Sequence, residues 1–256
     1  MALVASHLTK TYPGGKQAVR DVSIRVAPGE FVAIVGESGS GKSTTARMML
    51  HLLRPDSGSV TWHGADTATM DRAALKQYRA KVQAVFQDPS GALNPRKRIR
   101  TILGEVIRFY GIASDATGTE AVARRTLNLV GLPPTFLDRF QHELSGGQRQ
   151  RVLIARSMIP RPDIIIADEA VSALDVSIKA GILALMEDLR QKEGVGYLLI
   201  SHDLPVVRKV ARYVYVMCNG EVVEEGPTAD LFANPRHDYT RLLLGSALDL
   251  DAILSG

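Results

Sequence analysis

The sequence predicts an α/β fold with a mainly parallel sheet and a helical insertion, and three observations support this class. Residues 164–167 and 197–200 are continuous apolar runs, which are typical of strands buried on both faces of a parallel sheet. A helix is predicted between them, from about Ser177 to Gln191. The chain has 256 residues, 45% of them hydrophobic and 23% charged, so a large core can form and general disorder is excluded.

Composition also narrows the classes of function. A single cysteine, Cys218, excludes an internal disulfide framework and an all-cysteine metal site. Aromatic residues make up only 5%, which argues against a stacking surface for single-stranded nucleic acid. The net charge of +4 is mild and suits a phosphate ligand, a nucleic acid or an anionic membrane surface. We find neither a secretory signal nor an apolar run of about 18 residues, and therefore expect a cytoplasmic chain.

The elements before residue 88 are predicted to be mostly strands. Alternation of apolar and polar residues, or a short apolar run bounded by turn residues, indicates each one. The predicted strands are Val22–Val26, Phe31–Val35, Ser59–Trp62 and Val82–Phe86. One helix, Lys42–Leu53, follows a group of glycines, and Arg54-Pro55 ends it.

The pattern becomes helical between residues 88 and 158. A loop rich in proline, glycine and asparagine, Asp88–Pro95, precedes helices predicted at Ile99–Tyr110 and Glu120–Val130, which a linker of small residues, 111–119, connects. After Pro160 the strand pattern returns.

The last strands are predicted to form a hairpin. Tyr213–Met217 and Glu221–Glu224 flank Asn219-Gly220, a pair that favours a type I′ turn. We therefore expect one domain, 1–256, in which an α/β core of residues 1–87 and 159–256 is interrupted by a helical subdomain of residues 88–158.

Residues 36–43, GESGSGKS, fit the phosphate-loop pattern at every specified position and stand between an apolar strand and a helix. Glycines let the backbone direct its N–H groups at a polyphosphate, and the helix N-terminus adds a positive dipole. Lys42 can reach the β and γ phosphates, and Ser43 can bind Mg²⁺. The predicted nucleotide-binding residues are Gly36, Ser38, Gly39, Ser40, Gly41, Lys42, Ser43 and Thr44. A dinucleotide-binding fold is excluded, since Thr44 stands where a third glycine is needed.

Asp168 and Glu169 follow the apolar run 164–167. Ligands of open parallel sheets bind at the carboxyl ends of the strands, so we expect both carboxylates to face the phosphates. Asp168 fits a Mg²⁺ ligand acting through water, and Glu169 fits the general base for the attacking water. Taken alone, the pair would also be consistent with a solvated strand end, although the functional interpretation is favoured.

A second anion site is predicted at residues 145–148, SGGQ. Ser145 and Gln148 form a capping box at a helix start. Capping does not explain Gly146 and Gly147, each of which disfavours a helix by up to about 1 kcal/mol relative to alanine. Paired glycines leave N–H groups bare for a close anion. Because the chain already has a phosphate loop, this site is best used on a nucleotide held by another subunit.

These motifs resemble those of the nucleotide-binding subunit of ATP-binding-cassette (ABC) transporters along essentially the whole chain. Ser145–Gln148 matches the family signature, while Gly36–Ser43 and Ile164–Glu169 match its Walker A and Walker B segments. The resemblance implies a P-loop NTPase core of the RecA-like type, an N-terminal antiparallel β subdomain and an inserted α-helical subdomain. It also implies ATP and Mg²⁺ as ligands.

The resemblance assigns roles to residues that, taken singly, have simpler structural explanations. Gln87 matches the loop glutamine that contacts Mg²⁺, His202 the switch histidine at the γ-phosphate, and Tyr12 the aromatic stacked on adenine. Asp175 ends the D-loop, residues 172–175, which crosses the dimer interface. The implied catalytic residues are Glu169, His202, Lys42 and Gln87, and the implied metal-binding residues are Ser43, Gln87 and Asp168.

One departure from the family pattern lies beside the proposed base. Ala170-Val171 stands where the family usually has Pro-Thr, so we expect a looser turn after Glu169 and an altered rate, with activity retained.

Two stretches narrow the group within the family. Residues 87–96, QDPSGALNPR, are similar to a loop of oligopeptide, dipeptide and nickel importers, and residues 234–243, NPRHDYTRLL, resemble that group's tail. The resemblance implies the ATPase of a prokaryotic importer at the cytoplasmic face of the inner membrane. Its implied partners are a second ATPase subunit in a homo- or heterodimer, two integral-membrane permease subunits and, indirectly, an extracytoplasmic binding protein. No nucleic-acid partner and no iron–sulfur cluster are expected.

Other classes fit less well. Cassette ATPases of DNA repair or translation usually carry coiled coils, a second cassette or zinc modules, and the sequence shows none of these. A serine hydrolase would need a Gly-x-Ser-x-Gly elbow, which is missing. The presence of Glu169 and His202 argues against a regulatory module that binds ATP without hydrolysing it.

Overall fold

The computed structural model describes residues 2–86, 89–170, 172 and 174–245, without the side chains of residues 89 and 90. Its strands are β1 Leu3–Thr11, β2 Gln17–Val26, β3 Phe31–Val35, β4 Ser57–Trp62, β5 Ala65–Asp66, β6 Val82–Phe86, β7 Ile164–Asp168, β8 Gly196–Ile200, β9 Tyr213–Cys218 and β10 Glu221–Pro227. Its α-helices are α1 Lys42–Met49, α2 Arg72–Lys81, α3 Pro89–Ala92, α4 Ile99–Phe109, α5 Ala116–Leu129, α6 Gly146–Met158, α7 Val176–Glu193, α8 Leu204–Val210, α9 Thr228–Ala233 and α10, residues 238–245. Short 3₁₀ helices occur at Thr67–Thr69, Pro134–Asp138 and Gln141–Glu143.

The strands form two sheets. The smaller sheet is antiparallel, with strand order β2-β1-β4-β5. The larger has the order β10-β9-β3-β8-β7-β6, in which the five strands from β9 to β6 are parallel and β10 is antiparallel to β9. This architecture confirms the predicted mainly parallel core and the antiparallel β subdomain beside it.

The larger sheet is covered on both faces. In β3, Phe31, Ala33 and Val35 join one apolar cluster, while Val32 and Ile34 join a second, because successive side chains of a strand point to opposite faces. The first cluster continues into α4–α7, and the second into α1 and the antiparallel sheet. No helix in the described ranges is long and apolar enough to cross a bilayer.

Several boundaries differ from the prediction, and three of them concern helices or the loops before them. Helix α1 ends at Met49 rather than Leu53, because the backbone turns into the left-handed region at His51, with φ of 53°. The loop predicted at 88–95 contains the short helix α3, which begins at a proline, a residue suited to a first helical position. The linker predicted at 111–119 is shorter, because Asp115 caps α5 by accepting a bond from the Gly118 N–H.

The predicted hairpin turn is confirmed. Asn219 and Gly220, between β9 and β10, have φ of 48° and 88°, and a type I′ turn requires positive φ at both central positions.

Two buried tyrosines offer a test of packing. Tyr78 on α2 is fully buried and its hydroxyl donates to the Met49 carbonyl, whereas the hydroxyl of Tyr197, which is 1% exposed, has no hydrogen-bond partner among the described residues. We predict that Tyr78→Phe lowers the free energy of unfolding by about 1 to 2 kcal/mol, since it leaves a carbonyl at the end of α1 unpaired. Tyr197→Phe, the matched control, should be neutral or stabilising. Urea unfolding measures both, and equal losses would contradict the assignment.

Candidate active site

The phosphate loop fills the gap between β3 and α1, and two glycines let it lie against neighbouring backbone. Gly36 has φ of 147°, and a Cβ there would lie 2.1 Å from the Met217 carbonyl oxygen. Gly41 has φ of 104°, and a Cβ there would lie 2.4 Å from the Ala18 carbonyl oxygen. Both positions therefore exclude larger residues for reasons of space as well as backbone conformation.

Lys42 places a buried cation inside this loop. Its side chain donates from Nζ to the carbonyl oxygens of Gly36 at 2.8 Å and Glu37 at 2.6 Å, and to Ser40 Oγ at 3.2 Å. The residue is 5% exposed, and burial lowers the pKa of the ammonium group, although the carboxylates of Glu169, Asp168 and Glu37 oppose the shift. The carbonyl and hydroxyl oxygens of the loop thus hold the ammonium group inside it.

Ser43 and Asp168 lie together at the start of α1 and the end of β7. Ser43 donates from Oγ to Asp168 Oδ1 at 3.1 Å. Burial raises the pKa of Asp168, and this hydrogen bond opposes that shift. Hydroxyl and carboxylate oxygens are ligands that Mg²⁺ accepts, so the pair fits the predicted metal site. Among the described residues, no cluster of three or more His, Cys, Asp or Glu side chains could hold a metal ion.

Glu169 and His202 meet at the ends of two adjacent strands. Asp168 at the end of β7 pairs with Ile200 of β8, and the N–H of Glu169 donates to the Ile200 carbonyl at 2.9 Å. Glu169 Oε1 lies 3.3 Å from His202 Nδ1. Glu169 has φ of 49°, in the left-handed region. The structure therefore brings together the two side chains that the sequence placed after separate strands.

Ser172 holds the turn that follows Glu169. Its N–H and its hydroxyl both donate to the Glu169 carbonyl oxygen, at 3.1 Å and 2.9 Å. Ala170 is buried, and Val171 lies outside the described residues. Two hydrogen bonds thus constrain this turn in the absence of proline, a contact that the sequence analysis missed.

A cavity of about 210 Å³ opens beside the phosphate loop. It is lined by Tyr12, Ser38, Gly39, Gly41, Lys42, Ser43, Thr44 and Glu169, with Lys16 and Ala18. Tyr12 Oη lies 3.5 Å from Thr44 Oγ1, so the aromatic residue stands at the mouth of the same site. Lys16 was not among the predicted site residues, although its position directly after the turn at 13–15 could have indicated it.

The signature residues form the predicted capping box. Ser145 Oγ accepts from the Gln148 N–H at 3.3 Å, and Gln148 Oε1 accepts from the Ser145 N–H at 3.0 Å. A Cβ on Gly147 would lie 2.6 Å from Ile178 Cγ2, whereas one on Gly146 would meet nothing closer than 3.6 Å. Close packing against α7 therefore favours glycine at position 147, a requirement that the sequence did not indicate.

The signature residues, Ser145–Gln148, and Asp175 do not line this cavity. Asp175, exposed and immediately before α7, makes no capping bond through its side chain. Gln87 lies outside the described residues.

A parallel sheet whose carboxyl edge carries a phosphate loop, a hydroxyl–carboxylate pair and a glutamate–histidine pair defines a P-loop nucleotide-binding protein. The chain belongs to the ABC transporter family, whose sequence pattern matches residues 19–172. The pattern described as the oligopeptide/dipeptide transporter C-terminal region matches residues 223–255.

Curated relatives are similar over most of the chain. It is 46% identical over 226 residues to a putative peptide import ATP-binding protein of Brucella ovis, covering 88% of this chain and 71% of the relative. It is also 46% identical over 231 residues to the glutathione import ATP-binding protein GsiA of Escherichia coli O157:H7, covering 90% of this chain and 37% of that protein.

Solved structures share the fold. The chain superimposes with a TM-score of 0.81 on cbiO1 of Clostridium perfringens, part of the ABC transporter complex cbiONQ, at 25% identity over 91% of this chain and 90% of the other. It superimposes with a TM-score of 0.76 on the ATP-binding cassette MJ0796, seen as a dimer bound to ADP and Pi, at 30% identity over 88% and 98%.

The close approach at Gly41 gives a prediction for ATP binding. Gly41→Ala should weaken ATP affinity by about tenfold or more, because the new Cβ displaces the loop from the Ala18 carbonyl. Gly64→Ala is the matched control, since Gly64 also has positive φ, 83°, but has nothing within 4 Å of the added Cβ. Calorimetric titration with Mg·ATP measures both, and unchanged affinity in Gly41→Ala would contradict the role of this contact.

Proposed function

We propose that this chain hydrolyses ATP as the nucleotide-binding subunit of a prokaryotic ABC importer for peptides or nickel-type cargo. The observation that carries the proposal is the meeting of Lys42, the Ser43–Asp168 pair and the Glu169–His202 pair at one edge of the parallel sheet. The C-terminal match at 223–255 and the peptide-import relatives support the cargo class.

The loop binds the polyphosphate of ATP. Its N–H groups and the α1 N-terminus attract the negative charge, and the Lys42 ammonium group binds the β and γ phosphates. When bound, Mg²⁺ neutralises charge on the phosphate oxygens. Ser43 and Asp168 would hold the ion, Asp168 through water, and Gln87 is proposed as a further ligand.

Hydrolysis is carried by Glu169. Its carboxylate orients a water molecule and accepts a proton as the water oxygen attacks the γ-phosphorus. The bond from that phosphorus to the bridging oxygen breaks, so ADP and phosphate leave. His202 restrains the carboxylate through its Nδ1 and contacts the γ-phosphate. Positioning and charge neutralisation supply most of the catalysis, since the protein forms no covalent bond.

Two subunits are needed for a complete site. Ser145–Gln148 of one subunit faces the ATP held by the other, and Asp175 lies at the same interface; Tyr12 stacks on the adenine. The dimer of the similar cassette MJ0796 supports this arrangement. We place the α/β core at 1–87 and 159–256 and the helical subdomain at 88–158, where two permease subunits dock. The complex works at the cytoplasmic face of the inner membrane and receives cargo from an extracytoplasmic binding protein.

The proposed base gives a sharp test. Glu169→Gln should still bind ATP but hydrolyse it at least about 100-fold more slowly, because the amide cannot accept the proton. Closed dimers should then accumulate in size-exclusion chromatography with Mg·ATP. Glu193→Gln, an exposed change at the end of α7, is the control and should retain turnover. Near-normal phosphate release by Glu169→Gln would remove Glu169 from its role.

The transport assignment has its own test. Affinity purification of the tagged chain from solubilised membranes of its native cell should recover two integral-membrane subunits at equal stoichiometry. Recovery of nucleic acid in their place would contradict the importer.

A further inference from the structure

A phenol from the C-terminal segment contacts the phosphate loop. The N–H of Glu37, the second residue of the loop, donates to Tyr239 Oη at 3.0 Å. Tyr239 belongs to α10, within the region matched by the oligopeptide/dipeptide C-terminal pattern. None of the roles assigned above includes this residue.

The hydrogen bond acts on the peptide unit between Gly36 and Glu37. The carbonyl of that same unit, on Gly36, accepts from Lys42 Nζ at 2.8 Å. Because a peptide unit is planar, holding its N–H also fixes the direction of its carbonyl. Tyr239 and Lys42 therefore hold the two ends of a single peptide group.

Contacts outside the loop place this phenol. The carboxylate of Glu224, on β10, accepts from the N–H groups of Arg236 at 2.8 Å and His237 at 2.9 Å. His237 Nδ1 in turn accepts from the N–H of Tyr239 at 3.1 Å. The Tyr239 ring packs, partly buried, against the larger apolar cluster. The two bonds to the Glu224 carboxylate are charge-assisted and therefore stronger than neutral hydrogen bonds, so they anchor the segment that carries Tyr239.

We propose that Tyr239 is a positioning residue of the phosphate loop, which holds the Gly36–Glu37 peptide so that Lys42 is aimed at the polyphosphate. The C-terminal segment thereby contributes to nucleotide affinity without touching the nucleotide. This inference rests on the proposed function in taking ATP as the ligand.

The test compares two Tyr-to-Phe variants that each lose the same kind of bond. Tyr239→Phe should raise the Kd for Mg·ATP about fivefold, while kcat at saturating ATP stays within about twofold of wild type. Amide exchange at Glu37 should quicken. Tyr215→Phe is the control, because Tyr215 Oη accepts from the Arg25 N–H at 3.2 Å on β2. It should quicken exchange at Arg25 and leave ATP affinity unchanged.

A second variant tests the support. Glu224→Gln weakens the bonds that anchor the segment but keeps the Tyr239 hydroxyl, so ATP affinity should fall in the same direction by a smaller factor. Wild-type affinity in Tyr239→Phe, or an equal loss in Tyr215→Phe, overturns the inference. A wild-type chain that binds ATP without hydrolysing it contradicts the proposed function instead, and the affinity comparison still decides the role of Tyr239.

Discussion

A buried ammonium group must be compensated by acceptors, and the phosphate loop is folded around that requirement. The carbonyls of Gly36 and Glu37 accept from Lys42, and the loop that carries them lies directly against neighbouring backbone. The larger sheet supplies part of that backbone, since Met217 belongs to β9, the strand beside β3. The site therefore depends on three connected features, which are the burial of the charge, the glycine spacing and the strand order.

Much of the fold could be predicted because its signals are local. The runs at 164–167 and 197–200 are apolar throughout, which only a strand covered on both faces requires. The phosphate loop could be predicted because its motif is contiguous in the sequence. The residues after β7 could be placed beside it because a parallel sheet brings the carboxyl ends of its strands to one edge. Family membership then confirmed what the motif spacing had indicated.

The elements that sequence analysis missed have weaker or non-local signals. Strand β1 breaks its alternation at His7, where φ is 53° and the pairing with β2 shifts register. Helix α2 is mostly polar and buries only Tyr78, although its capping residue Asp71 was a readable start signal. The contact of Tyr239 with Glu37 joins residues far apart in sequence, and no periodicity reveals such a pair.

The turn after Glu169 differs in kind from one locked by a pyrrolidine ring. A ring restricts the chain permanently, in the unfolded state as well as the folded one. The two bonds from Ser172 instead compete with solvent, and hydrogen bonds strengthen as the local dielectric falls. Dehydration of this turn, as an opposing surface covers it, would therefore stiffen the backbone that carries the glutamate, so its rigidity would follow assembly rather than be fixed in advance.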